Sequence, residues 1–253
     1  MGSIYNEEEL ARLEQEEHAL TEDAIIEFFL AMGLTFSNLE KELRLFYQKY
    51  GTDGVVTYSE ARKWISDRNH QRRLTWLLLL IGTSFSTLFG NLRATFTTLI
   101  SDVVKKEFDF FGVALDEPKL NWGADDLNWL DRLADNNTMW EAYVANDIKR
   151  SMLTKKNIDE VIELLDKRFF TMENVIKRLA ITETTAVGSI ARKAAFKELG
   201  ITKYQYYARE DERTCEQCGA LHGLIFPISA YEVGSTASPI HSNCRCWEVP
   251  IRE

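Results

Sequence analysis

Cysteine is absent from the first 214 residues of this 253-residue chain. All four cysteines, Cys215, Cys218, Cys244 and Cys246, fall in the last forty positions. That distribution excludes a disulfide framework running through the body of the protein. The first residues, MGSIYNEEEL, lack the basic segment followed by an apolar run that marks a secretory leader, so the chain is expected to stay in a reducing cytoplasm. In that setting clustered cysteines point to metal rather than to disulfides. A membrane-spanning run is also missing. The most apolar stretch, LTWLLLLIGTSFSTLF at 74–89, is sixteen residues long and rich in Ser and Thr, against the roughly twenty a spanning helix needs. It reads as a buried or interface helix, with no membrane partner. Positive charge is scarce: 30 Lys and Arg against 39 Asp and Glu leave a net charge of −9, which argues against bulk electrostatic binding to nucleic acid. No P-loop, GxGxxG, GxSxG or HExxH motif occurs, and no repeat or low-complexity tract.

The charge that is present is uneven. Residues 1–42 carry eleven acids against Arg12 and Lys41, whereas 149–209 carry thirteen basic and seven acidic residues. Lys149, Arg150, Lys155 and Lys156, with Arg192, Lys193 and Lys197 further on, are the candidates for weak contact with packaged DNA.

Most of the chain up to Gly200 has helical periodicity. Ser37 and Glu40 have capping-box spacing and predict a helix start, with Leu39, Leu43, Phe46 and Tyr50 on one stripe and a stop at Gly51. GTDGV is a turn, and Thr57 with Glu60 caps a further helix. Residues 73–111 form one or two apolar helices; 115–129, with Pro118 and Gly123, is the clearest break. An apolar stripe from Ile158 to Leu179 predicts a helix, and a second at 183–199 ends on Gly200 as a left-handed cap, with Glu183 at its start favouring the dipole. His18 and His70 are expected to face solvent. After Gly200 short aromatic and apolar runs separated by turns read as strands. The fold class is mainly α: long N-terminal and central helices, then a small C-terminal α+β zinc-binding domain. The expected divisions are 1–118, 119–200 and 201–253.

Cys215 and Cys218 form a CxxC pair, followed by His241, Cys244 and Cys246 in HSNCRC. Zinc takes four N or S ligands in a tetrahedron, and a tight turn lets both thiolates of CxxC reach one ion. Five candidates compete for four places. His241 with one of the later cysteines gives Cys₃His, the favoured set because HxxC repeats the geometry of CxxC; Cys244 and Cys246 without the histidine give Cys₄. With four protein ligands the ion is structural, since catalytic zinc keeps a position open, and it substitutes for a thin core.

DERTCEQCGALHGLIFPI followed by PIHSNCRCWEVP resembles the C-terminal signature of the phage Mu protein F-like family, the minor head or head-morphogenesis proteins of tailed bacteriophages. Asp211, Arg213, Thr214, Cys215, Cys218, Gly223, Phe226, Pro239, His241, Asn243, Cys244, Arg245 and Cys246 fall on that pattern, and Arg178, Ala180, Thr182 and Glu183 on its upstream R-x-A-x-T-E start. His222 stands where the family usually has Asp, adding a sixth possible ligand, and Ser242 where it usually has Pro. The resemblance implies a non-enzymatic virion protein inside the capsid at the portal vertex, made in the host cytoplasm. It implies partners in the portal protein, other head proteins and the packaged DNA, and a role in assembly and in DNA packaging or ejection. Residues 1–118 are the expected portal-binding region. The alternative is a zinc-dependent nucleic-acid enzyme or effector with His241 or His222 catalytic and Glu216 or Glu248 as the nearest acid.

Overall fold

A computed structural model of the chain describes residues 7–60 and 71–251. Four long helices dominate: α1 (Glu7–Tyr50), α2 (Gln71–Phe111), α3 (Trp129–Leu153) and α4 (Ile158–Glu198). They precede β1 (Lys203–Tyr207), the short α5 (Glu216–Leu221), β2 (Ile225–Pro227), one 3₁₀ turn and β3 (Trp247–Ile251). The mainly helical class with a small C-terminal sheet is as expected.

α1 runs through Ser37, so the predicted start there is wrong. Its buried face explains why. Leu10, Leu13, Glu17, Thr21, Ala24, Phe28, Met32, Thr35, Leu39, Leu43 and Phe46 recur in steps of three, four and four. An eleven-residue period corresponds to about 3.67 residues per turn, close to a straight helix, so the stripe stays on one side throughout. A local capping signal cannot end a helix whose next turns still have a face to bury. The buried Thr21 and Thr35 each donate back to the carbonyl four residues earlier, at 2.9 Å, and so leave no orphan hydroxyl. α2 repeats the pattern with Leu77, Ile81, Phe85, Leu88, Leu92, Phe96, Leu99 and Val103. The portion Leu77–Phe111 is long and apolar enough by composition to cross a membrane; 28% of its apolar window is buried, along one regular stripe.

Where capping pairs coincide with a change of direction they do act. Asn157 and Glu160 bond reciprocally at 2.8 and 3.0 Å to open α4, as do Asn128 and Asp131 for α3. The Thr57–Glu60 box also forms, at 2.9 and 3.2 Å, although residues 61–70 of the helix expected at 58–73, His70 among them, lie outside the described residues. Between Gly51 and Val55 the chain turns at Asp53 and Gly54, both with positive φ. The two helices expected at 158–179 and 183–199 are a single α4, so Glu183 lies mid-helix and not at a helix start. Gly200, at φ 67°, closes α4 as expected, with the Ile201 N–H bonded to the Phe196 carbonyl at 2.8 Å.

The chain divides into two compact units. One comprises Met1–Ile26, Thr95–Arg132 and Lys177–Glu253, the other Glu27–Ala94 and Leu133–Ile176. In the second unit Phe36 and Phe85 pack on Phe169 with ring centroids 5.2 and 6.1 Å away. In the first, the end of α4 is buried nearly all round, and Ala186, Ala191 and Ala195 are small enough to admit close neighbours. Phe196 meets Phe111 edge to face, and Tyr231 bridges Phe196 and Tyr204. The sheet has the order β2-β1-β3, antiparallel throughout. β1 alternates, and its inward residues Tyr204 and Tyr206 are fully buried: Tyr204 in the aromatic core, Tyr206 against the cysteines.

Candidate metal centre

Cys215 is the N-cap of α5, and its Sγ accepts the Cys218 N–H at 3.3 Å. That backbone donor is the main reason the Cys215 thiol is held below its ordinary pKa. The single turn of helix that follows points Cys218 inward, where burial pushes its thiol up to about 12. His241 enters from the opposite loop. Its Nδ1 faces the Ser242 carbonyl at 2.8 Å, a contact only an N–H satisfies, so the Nε2 lone pair is free for the sulfurs. Nε2 lies 3.1 Å from Cys215 Sγ and 3.2 Å from Cys218 Sγ. Cys244 Sγ stands 3.8 Å from Cys218 Sγ. A tetrahedron with metal–sulfur and metal–nitrogen distances of about 2.3 and 2.0 Å has edges of about 3.8 Å between sulfurs and 3.5 Å from sulfur to nitrogen; the Cys218–Cys244 spacing matches the first, and the two nitrogen spacings are shorter than the second.

All five sequence candidates therefore converge, as two overlapping groups that share Cys218: Cys215, Cys218 and His241, and Cys218, Cys244 and Cys246. A hydrogen bond from Cys246 is the leading cause that brings the Cys244 thiol down to about 5, while Cys246 itself is pushed up. His222 does not join them. Its Nδ1 accepts the Ala208 N–H at 3.1 Å and the ring lies against Tyr207, so the sixth candidate serves β1 instead.

Several residues hold the ligands in place. Asp211 receives both arms of Arg245, the residue between the last two cysteines, at 2.7 and 2.8 Å. This pair, with the Arg213 N–H on Asp211 at 2.9 Å, explains why an aspartate precedes the first cysteine turn and an arginine divides the second. Thr182 Oγ1 accepts the Asn243 N–H at 3.1 Å, and Asn243 takes the left-handed conformation at φ 61°. Thr185 donates to the Cys244 carbonyl at 3.1 Å. One turn of α4 thus fixes the second ligand loop. Glu183, on the same turn, faces elsewhere: it accepts from Trp122 Nε1 at 2.8 Å and Arg132 at 3.2 Å, and burial raises its pKa. Tyr206, which sequence reasoning missed, donates its hydroxyl to Cys218 Sγ at 3.4 Å. Only its inward register in an alternating strand could have signalled it. Of the acids considered for catalysis, Glu216 is exposed and Glu248 is sealed in a different cluster.

Residues 142–249 match the family model described as Phage Mu protein F like protein. The recognition drawn from the motifs stands for that segment. The matched segment contains α4, β1, β2, the first three residues of β3 and every candidate ligand, together with Thr182, Thr185 and Tyr206. No curated protein and no solved structure matches the chain.

Proposed function

We propose that the protein is a structural minor head protein of a tailed bacteriophage, bound to the portal protein inside the capsid and acting in head morphogenesis and in DNA packaging or ejection. The match of residues 142–249 to the phage Mu protein F-like model carries this reading. In it, one zinc ion held by Cys215, Cys218, His241 and Cys244 clamps the C-terminal domain, with Cys246 and Tyr206 as donors to its sulfurs. Such an ion replaces the burial that three short strands lack. Residues 1–118 hold the portal. Support comes from the exposed apolar residues Leu30 and Leu34, one turn apart on α1, and from Leu78 and Leu79 on α2.

Co-expression with the portal protein of the same phage tests the interface. The full-length chain is expected to co-purify with portal, and a Leu30→Asp, Leu34→Asp variant to lose most of that capture while keeping its fold. Undiminished capture by the folded variant overturns the assignment of the interface to α1. In this reading DNA contact uses Lys149, Arg150, Lys155 and Lys156, since Arg192 is buried in ion pairs and Lys193 donates to the Tyr231 carbonyl at 2.6 Å. The expectation that Arg192 serves a phosphate-binding face is corrected by that burial.

A further inference from the structure

Beside the last turns of α4 lies a cavity of about 630 Å³, within the roughly 300–1,000 Å³ of small-molecule sites. All of its residues belong to the first compact unit. Three pieces of chain enclose it, and each is fixed by its own bonds. One wall is the face of α4 that carries Ile190, Lys193, Ala194 and Lys197, three and four residues apart and so on one side of the helix. A second is the loop around Trp122. Its backbone pairs with Leu127, Arg132 holds the Trp122 carbonyl at 3.0 Å, and Asn121 donates to the Asp126 carbonyl at 2.6 Å. The third, 231–235, is closed by the Glu232 carbonyl, which accepts the N–H groups of Ser235, Thr236 and Ala237 at 3.0–3.1 Å. Such walls stand ready before anything occupies the space.

The walls carry Lys119, Lys193 and Lys197 against Asp126 and Glu232. Lys119 and Asp126 satisfy each other at 3.3 Å. Lys193 donates to the Tyr231 carbonyl at 2.6 Å, which fixes its ammonium and leaves two of its three donors. Lys197, one turn further on, is exposed and has no ion-pair partner among the described residues. Burial and the Lys197 charge lower the Lys193 pKa, and Glu232 offsets them in part. An anion held between the two ammoniums would relieve their repulsion.

A bare phosphate would leave most of the volume empty. Trp122 supplies a flat surface: its Nε1 donates to Glu183 at 2.8 Å, and the Arg132 guanidinium lies 4.7 Å from the ring centroid, so the indole is held in place. An acidic peptide would need main-chain partners, and no residue lining the cavity belongs to a strand. A planar ring stacked on an indole, joined to a phosphate near lysines, uses both features. Asp126 and Glu232 then serve as acceptors for N–H and O–H groups of the base and sugar.

We propose that this cavity binds a nucleotide unit, its base against Trp122 and its phosphate between Lys193 and Lys197. A duplex keeps its bases stacked inside and offers no ring to Trp122. The site therefore takes a free nucleotide or the end of a single strand, and adds nothing to the contact assigned to Lys149, Arg150, Lys155 and Lys156.

Calorimetric titration of the full-length chain with deoxyadenosine monophosphate at low salt is expected to show one site per chain. Inorganic phosphate and deoxyadenosine each lack part of the ligand and should bind at least roughly tenfold more weakly. Lys197→Gln, at an exposed position, should weaken the nucleotide by about fivefold. Ala194→Leu, which puts a larger side chain into the cavity, should abolish binding in a chain whose circular dichroism is unchanged. A short single strand with a terminal phosphate separates the two sources: tighter binding than the mononucleotide assigns the site to a strand end, and weaker binding assigns it to the free nucleotide. No heat with the mononucleotide at about 1 mM would overturn the proposal. So would inorganic phosphate or a glutamate-rich peptide binding as tightly as the nucleotide, or full binding by both folded variants.

Discussion

The sulfur centre and the carboxylate–arginine cluster occupy the same compact unit, and both bury polar groups, but they are assembled in opposite ways. The sulfur ligands lie within 32 residues of one another and are oriented by backbone turns, so their geometry is largely local. The carboxylates reach Arg192 across 85 residues from Glu107 and 178 from Glu14, so their geometry exists only once long helices have packed. A local site can be lost with its own loops while the helices persist. A dispersed one cannot fail without loosening every element that feeds it.

The largest effect is expected from Arg192→Met. It leaves Glu14, Glu107 and Glu248 without their shared cation, and removing one partner of a buried pair costs about 3–5 kcal/mol. Chemical denaturation should show that loss in the whole unit. A change confined to residues 201–251 by hydrogen exchange would contradict the dispersed assembly.

pH dependence comes next. Glu17, Glu107 and Glu248 have folded pKa values raised chiefly by burial, Glu107 to about 7. The folded state then holds protons that the unfolded chain has released. The stability these protons contribute is full below about pH 4.5 and is lost as pH climbs through about 7, where Glu107 ionises. Thermal midpoints from pH 4.5 to 8 check this, and Glu17→Gln should flatten the slope. A midpoint that rises across that range would refute the buried-acid account.

Tyr206→Phe removes the hydroxyl that donates to Cys218 Sγ and lies 3.8 Å from Cys244 Sγ. Loss of such an outer partner should weaken zinc binding by roughly 10–100-fold in a chelator competition, with the helices unaffected. An unchanged affinity removes Tyr206 from the centre's support. The smallest effect is expected at the second unit's surface, where Lys155 and Lys156 sit at the α3–α4 junction. Lys155→Glu with Lys156→Glu should weaken a non-specific gel shift that already fades between low and physiological salt. Salt-insensitive binding would rule out phosphate contact there.

How legible each region is in the sequence follows from the same difference. CxxC and HxxCxC announce themselves because their partners are neighbours in the chain. So do the turn at Asp53–Gly54 and the cap at Gly200, whose geometry is set by one or two residues. Ser37–Glu40 misleads because a capping pair is a local signal, outvoted here by an eleven-residue stripe that continues past it. Glu183 misleads for the same reason, on a helix twice as long as expected. Arg192 reads as surface charge, since nothing within a helical turn of it reveals that Glu14 and Glu107 arrive from other helices. Thr182 belongs to a recognisable motif, but its bond to Asn243 spans 61 residues and becomes visible only in the fold.

The metal clamp is the claim on which the account of the C-terminal domain rests. Metal analysis of reduced, freshly purified protein, read alongside hydrogen exchange of Cys218→Ser, tests it most directly. The account predicts about one zinc per chain, lost in the variant together with protection of residues 201–251, while α1 to α4 stay protected. Wild-type protein that holds no zinc, with β1 and β3 as well protected as the helices, would contradict it.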